Sequence, residues 1–139
     1  MLLSMQQTTS PRPTAESDAI RRLLDRGGLI DITTTGRRSG LPRRLEIVFH
    51  GIDGRIVITG KPRHRKRAWL LNLEADPRMT FHIKGPLQAD LPATARVITD
   101  DTERRATAEW VVANAWRNED VDEMTAYSPM IEVTLTEPV

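Results

Sequence analysis

Apolar and polar positions recur with two different periods along the chain. Between Ile20 and Gly27 apolar side chains return every three or four residues, which predicts a helix from Thr14 to about Arg26. Beyond Gly28 the period shortens to two and β-branched residues become common, as is typical of strands. The pattern therefore predicts a helix first and a sheet after it.

The pattern predicts six short strands. They are Leu29–Thr35, Pro42–His50, Arg55–Thr59, Met79–Lys84, Ala93–Thr99 and Met130–Thr136. The first three are joined by short turns, one with the Asp53-Gly54 step of a tight hairpin, so they form an antiparallel meander. Further helices are predicted at Ala68–Ala75 and from Asp100 to about Arg117. We expect an α+β fold, an antiparallel sheet of about six strands closed into a barrel with three flanking helices.

Chain length and composition indicate one domain. Residues 1–13 are polar and contain two prolines, which predicts a disordered arm, and residues 14–139 form a single domain. The absence of cysteine excludes disulfides, thiolate zinc sites and a cysteine nucleophile. The apolar stretch at the start of the sequence is too short for a signal peptide. No apolar run is long enough for a membrane helix either, so we expect a cytoplasmic protein.

The small net charge of +1 hides a strong asymmetry along the chain. Residues 37–67 hold ten basic and two acidic side chains, a charge of +8, and the rest of the chain carries −7. Such segregation predicts an electropositive surface and an anionic partner. The alternative is that arginine is simply the preferred surface cation, since the chain has 17 arginines and three lysines.

Two basic segments stand out, a hairpin at residues 36–44 and a loop at residues 60–67. Five basic residues of the loop directly precede a predicted helix, where their charges oppose the helix dipole, which suggests a bound anion. A nucleic-acid surface is disfavoured because no aromatic residue is interleaved with the basic run. The three histidines lack the helical spacing of a metal pair, so no metal site is expected, and no P-loop, Gly-x-Ser-x-Gly or Gly-x-Gly-x-x-Gly motif is present.

The strings Thr33–Arg43, Gly60-Lys61 and Ala68–Pro77 together resemble the deazaflavin-dependent nitroreductase family. These are coenzyme F-420-dependent split β-barrel oxidoreductases, similar in fold to flavin-binding relatives of pyridoxamine-phosphate oxidase. The resemblance covers roughly residues 27–137. It implies a deazaflavin cofactor with a phosphodiester and an oligoglutamate tail, whose reduced form gives a hydride to a quinone, enone or similar small acceptor.

The resemblance also implies roles for individual residues. It assigns Arg38, Arg43 and Lys61 to the phosphate and tail, the strand end Ile58, Thr59 and Gly60 to the deazaflavin ring, and Ala68, Trp69 and Asn72 to the helix beside the cofactor. A proton could come from solvent or from a nearby hydroxyl, for which Tyr127, the only tyrosine, is the candidate catalytic residue. Relatives often carry several tyrosines in the stretch that corresponds to Asn118–Ser128, and a proline or neutral residue in place of Glu46, so the resemblance indicates the cofactor more directly than the acceptor.

Three other interpretations remain open from the sequence. The same fold could bind FMN in place of the deazaflavin, or serve as a carrier of a cofactor or ligand without catalysis. A nucleic-acid-binding module on the basic run is the third. Barrels of this type are often dimers, so the resemblance allows a homodimer.

Overall fold

The computed structural model describes residues 15–139. The predicted arm, residues 1–13, and the predicted helix cap Thr14 lie outside these residues. The elements in chain order are α1 (Ala15–Arg26), β1 (Gly28–Thr35), β2 (Pro42–Ile52), β3 (Arg55–Thr59), α2 (Ala68–Ala75), β4 (Arg78–Ile83), β5 (Ala89–Val97), α3 (Asp101–Asn114), α4 (Val121–Tyr127) and β6 (Met130–Leu135).

The strands form a closed antiparallel barrel in the order β1-β2-β3-β6-β5-β4, and β4 pairs with β1 to complete it. The predicted antiparallel barrel is thereby confirmed. The β2–β3 hairpin closes through Asp53 and Gly54, whose φ angles of 51° and 78° are both left-handed. This is the tight two-residue turn that the Asp-Gly step predicts, because both residues tolerate positive φ.

Two apolar clusters hold the fold together. One fills the barrel, where Phe49 and Phe81 meet edge to face with ring centroids 5.2 Å apart. The other lies outside the barrel wall, where Val57 of β3 packs with Val111 of α3 and Met124 of α4. Because helices cover the outer face of β3, this part of the wall is buried on both sides, and its side chains are apolar on both faces.

The described residues hold four helices where three were predicted, so that prediction is wrong. The missed helix is α4, which spans only seven residues and has one buried side chain, Met124. Its start carries a signal that could have revealed it. Asp120 accepts a hydrogen bond from the backbone N–H of Glu123 at 2.8 Å, in the arrangement of an N-terminal cap.

Two element boundaries differ from the prediction by three residues or more, and the others by two at most. β5 begins at Ala89 rather than Ala93, and so includes Pro92. Proline is tolerated there because β5 pairs with β4 at this position, whereas its pairing with β6 starts only at Ala93. The third helix ends at Asn114, three residues before the predicted Arg117.

Candidate cofactor-binding site

The turn between β1 and β2 projects arginines from the barrel rim. Gly36 N–H donates to the carbonyl of Leu41 at 2.8 Å, and Gly40 N–H donates to the carbonyl of Gly36 at 2.8 Å. Gly40 has a φ of 70°, a conformation that glycine adopts without strain. The turn that these bonds close exposes the side chains of Arg37 and Arg38.

Asn72 of α2 fixes this turn from below. Its Oδ1 accepts the backbone N–H of Arg37 at 3.0 Å, and its Nδ2 donates to the Thr34 hydroxyl at 3.1 Å. The side chain is 5% exposed, so both bonds are shielded from water. Asn72 therefore ties the arginine-bearing turn to the helix beside it.

Three cavities follow one another around the start of α2. The hairpin cavity, about 200 Å³, is lined by Gly36, Arg37, Arg38, Ser39, Arg43, Ala68 and Asn72. The helix-start cavity, about 300 Å³, is lined by Arg37, Arg63, Arg65, Lys66, Arg67, Ala68 and Leu71. The loop–helix cavity, about 380 Å³, lies between residues 63–67 and the segment 125–130. Because neighbouring cavities share lining residues, they form one surface from the turn to the end of α4.

The arginines on this surface lack acidic partners. The three cavities are lined by Arg37, Arg38, Arg43, Arg63, Arg65, Arg67 and Arg104. None of these seven forms an ion pair within residues 15–139. Six of the nine other arginines in this range form ion pairs; Arg44, for example, binds Asp31 at 2.9 Å, and Arg96 binds Glu103 at 2.6 Å. The surface around α2 thus carries uncompensated positive charge.

Four of the nine predicted cofactor residues lie together on the hairpin cavity. They are Arg38, Arg43, Ala68 and Asn72. Ile58 and Thr59 instead lie inside the barrel wall, where β3 pairs with β2 and β6 on either side. Trp69 points into the barrel core and is 6% exposed. None of these three residues lines the three cavities around α2.

Gly60 allows a close approach within the protein itself. A Cβ at this position would lie 2.7 Å from Cγ of Pro129 and 3.0 Å from Nε of Arg67. The Gly60 N–H donates to the carbonyl of Pro129 at 3.1 Å. The missing side chain thus lets the basic loop, residues 60–67, pack against the segment that follows α4.

The structure keeps Lys61 apart from the turn arginines. Its ammonium lies 5.5 Å from the ring centroid of Trp116 and 3.9 Å from a carboxylate oxygen of Glu119. The side chain is 65% exposed, so these contacts are weak. Lys61 is absent from the lining of the hairpin cavity that holds Arg38.

Tyr127, the candidate catalytic residue, lines the loop–helix cavity and is 43% exposed. Its ring packs on that of His64, with centroids 4.1 Å apart, and its carbonyl accepts the N–H of Arg63 at 3.3 Å. These contacts join the basic loop to the end of α4. Tyr127 and the unpaired arginines therefore belong to one continuous surface.

His50 is buried behind the site. Its Nε2 lies 2.9 Å from the hydroxyl of Thr59, and its ring meets Trp110 and Trp116 edge to face. Burial lowers the pKa of His50 to about 4, because the imidazolium form would lose its hydration there. His50 is neutral near pH 7 and supports the end of β3, where the basic loop begins.

Within residues 15–139 no group of three or more histidine, aspartate or glutamate side chains could hold a metal ion. None of the helices in that range is long and apolar enough to cross a membrane.

Sequence reasoning missed part of this surface. Arg37, Arg67 and Arg104 line the cavities although the family resemblance assigned them no role. The charge count over residues 37–67 includes the first two. Arg104 stands in an acidic stretch of sequence, and only the packing of α3 against α4 brings it to the cavity. No sequence signal could have placed it there.

Comparison with known proteins identifies the family. The model of the F420H(2)-dependent quinone reductases matches residues 8–136, which is nearly the whole chain. The chain belongs to this family. It is a reductase, and its cofactor is reduced coenzyme F-420 rather than FMN. The oxidoreductase function implied by the resemblance is thereby confirmed, and the alternative of a carrier without catalysis is set aside.

Solved structures share the barrel. A conserved hypothetical protein of Mycobacterium tuberculosis is 17% identical with a TM-score of 0.68, and 91% of this chain and 86% of that chain are covered. A Listeria innocua protein named after pyridoxamine 5′-phosphate oxidase is 13% identical with a TM-score of 0.63, covering 87% and 94%. An F420-H2 dependent reductase is 21% identical with a TM-score of 0.55, covering 76% and 93%. The similarity identifies the fold as the split barrel.

Proposed function

We propose that this F420H(2)-dependent reductase binds its cofactor along the surface that runs from the hairpin cavity across the start of α2. The observation that carries the proposal is the set of six arginines without ion pairs that line the hairpin cavity and the helix-start cavity. An anionic ligand would supply the charge that they lack. A guanidinium group grips phosphate or carboxylate through paired N–H donors, so this donor set suits a polyanion.

The residues of the hairpin cavity fit the phosphodiester of a deazaflavin. Arg38 and Arg43 present exposed guanidinium groups there, and Asn72 holds the turn that carries them. The oligoglutamate tail extends along the arginines of the basic loop, in the helix-start cavity. Lys61 joins the tail by leaving Trp116 and Glu119, a small cost for a side chain that is 65% exposed.

The predicted ring contacts concern the end of β3. In this proposal Ile58, Thr59 and Gly60 form the wall behind the ring, with Ala68 and Trp69 at the neighbouring helix. When bound, the reduced deazaflavin supplies a hydride to the acceptor. The chain's own residues orient the two molecules and exclude water.

Tyr127 is the proposed proton donor to the reduced acceptor. It stands on the loop–helix cavity, and its ring is held by His64. Replacing Tyr127 with Phe keeps the ring contact and removes the hydroxyl. We expect kcat to fall by about a hundredfold, the low end of general acid catalysis, with coenzyme affinity unchanged. An unchanged kcat would remove Tyr127 from the chemistry.

Titration of the purified protein with coenzyme F-420 tests the proposal. We expect the fluorescence of the coenzyme to be quenched, or its anisotropy to rise, at micromolar protein. Turnover of the reduced coenzyme with a panel of quinones, enones and nitroaromatic compounds then ranks the acceptors. Absence of binding would contradict the proposal, and binding without turnover of any acceptor would contradict the reductase part.

A homodimer and a cytoplasmic location stay predictions for this chain. One solved structure of the same fold, 19% identical with a TM-score of 0.56, is described as a domain-swapped dimer. Sedimentation equilibrium of the full chain, with and without the coenzyme, gives its oligomeric state.

A further inference from the structure

The loop–helix cavity is lined by residues with two polar atoms that no hydrogen bond within residues 15–139 accounts for. Two buried side-chain atoms in residues 15–139 lack a hydrogen-bond partner, the hydroxyl of Ser128 and Nε of Arg67. Both residues line this cavity. Unpartnered buried polar atoms are few in native proteins, so each calls for an explanation, and two on one cavity wall point to a missing ligand.

Ser128 is buried and otherwise satisfied. It is 3% exposed, its N–H donates to the carbonyl of Met124 at 3.0 Å, and its carbonyl accepts Nη2 of Arg104 at 2.7 Å. Only the hydroxyl remains without a partner. Because hydrogen bonds hold both the N–H and the carbonyl of Ser128, the backbone that carries the hydroxyl is fixed in position on the cavity wall.

Arg104 adds a half-buried positive charge to the same wall. Its guanidinium donates to the carbonyls of Thr125 at 2.9 Å, Ile98 at 3.0 Å and Ser128 at 2.7 Å, and to no carboxylate. Burial lowers the pKa of Arg104, and burial together with the Arg63 guanidinium lowers the pKa of Arg67. Both stay charged near neutral pH, because arginine deprotonates only far above it.

The remaining charges of the wall leave it positive. Lys66 and Glu74 form an ion pair at 3.0 Å and cancel each other's charge. Asp101 is then the one remaining acidic residue on a wall that carries four arginines without ion pairs. Leu70, Val97 and Met130 supply an apolar side. A cavity of about 380 Å³ with one apolar side and one cationic side has the size and character of a small-ligand site.

We infer that the loop–helix cavity is a subsite for a carboxylate, completed by the Ser128 hydroxyl and the Arg67 guanidinium. The carboxylate belongs either to an aromatic electron acceptor or to the glutamate tail of the coenzyme. The apolar side favours the acceptor, because a tail of glutamates has no ring to bury there. This inference rests on the proposed function, and benzoate binding would extend its acceptors to aromatic rings that carry a carboxylate.

The first test uses the free protein and measures thermal stability. Benzoate should raise the melting temperature, benzamide of the same shape should not, and a triglutamate peptide reports on the tail. Stabilisation by benzoate identifies the acceptor as the source, and stabilisation by the peptide alone identifies the tail. No shift with either carboxylate overturns the inference.

The second test replaces Ser128 with Ala. Removing an unpartnered hydroxyl should leave the free protein as stable as before or more stable, while weakening carboxylate binding by roughly tenfold or more. Thr99→Ala, on the same cavity but exposed, is the matched control and should leave binding unchanged. Equal binding by wild type and Ser128→Ala, or a destabilised free Ser128→Ala protein, contradicts the assignment.

A separate titration with coenzyme F-420 keeps the two claims apart. If the coenzyme binds and neither carboxylate does, the subsite is wrong and the proposed function stands. If benzoate binds through Ser128 and the coenzyme does not bind, the subsite stands and the proposed function is wrong.

Discussion

Arg43 and Arg44 are neighbours in β2 and lie in opposite electrostatic environments. Arg44 binds Asp31 at 2.9 Å, and Lys84 binds both Asp31 and Glu46, so two basic and two acidic groups balance on that side of the barrel. Arg43 faces the hairpin cavity, where the hydroxyl of Ser39, 3.5 Å away, is its hydrogen-bond partner. Strand alternation alone separates the two side chains.

The difference between Arg43 and Arg44 shows that arginines in ion pairs and arginines without them serve different purposes in this chain. The paired arginines stabilise the fold modestly, since exposed ion pairs contribute about 0–1 kcal/mol each. The unpaired arginines repel one another around the start of α2 and are costly without a ligand. That this surface holds seven unpaired arginines against two acidic residues, Glu74 and Asp101, while the chain outside residues 37–67 carries a charge of −7, indicates a binding role.

The largest expected effect is on coenzyme affinity. Replacing both Arg38 and Arg43 with Ala should weaken binding by about 3 kcal/mol or more, over a hundredfold in Kd, because each loses a charged hydrogen bond to the ligand. Arg44→Ala is the matched control and should change Kd by less than about threefold. Fluorescence titration measures all three proteins, and similar losses in the control and the double variant would indicate a diffuse field.

Asn72→Ala tests whether Asn72 anchors the arginine-bearing turn between β1 and β2. It leaves the Arg37 N–H and the Thr34 hydroxyl without their partner, so we expect unfolding free energy to fall by about 2–3 kcal/mol. Asn114→Ala, an exposed position, should cost less than about 1 kcal/mol. Urea denaturation compares them, and equal losses would mean that Asn72 does not anchor the turn.

His50 predicts how stability depends on pH. Its pKa is about 4 in the folded state against the usual 6.5 of a solvated histidine, so between these two pH values the unfolded chain binds a proton that the folded chain does not. The contribution of neutral His50 to the free energy of unfolding is fully present above pH 6.5. It is lost as the pH falls toward 4, by at most about 3 kcal/mol.

His50→Gln should remove this part of the pH dependence, whereas His64→Gln, at an exposed position, should retain it. Denaturation midpoints between pH 4.5 and 7.5 provide the measurement. A variant whose stability still falls as steeply as that of the wild type would rule out His50 as the titrating group.

The smallest expected effect concerns Lys61. Its contacts with Trp116 and Glu119 are weak, so it can turn toward the coenzyme tail. Lys61→Ala should weaken binding a few-fold, about 1 kcal/mol, and more than Arg55→Ala, whose guanidinium lies 3.7 Å from Glu103. Equal coenzyme affinities of the Lys61→Ala and Arg55→Ala variants would show that Lys61 does not bind the tail.

The sequence predicts the barrel well because its signals are local. Alternating strands, the Asp53-Gly54 turn and the length of the connections were enough to predict an antiparallel meander. The α4 helix was missed because seven residues make only about two helical turns, too few to show a periodicity, and its cap at Asp120 was the one signal.

The site depends on contacts between distant segments, which local patterns do not reveal. The family resemblance placed Asn72 near the cofactor, but only the structure shows that it holds the turn 35 residues away. Likewise Arg104 and Ser128 meet across 24 residues of chain. The position of Lys61 over Trp116 depends on how α3 ends, and no pattern in the basic loop encodes that.

A crystal structure with oxidised coenzyme F-420 bound tests the central claim most directly. The unpaired arginines should hold the ligand's anions, with phosphodiester oxygens within hydrogen-bond distance of Arg38 or Arg43 and the tail along the basic loop. A coenzyme bound elsewhere, with those guanidinium groups still free of it, would contradict the claim.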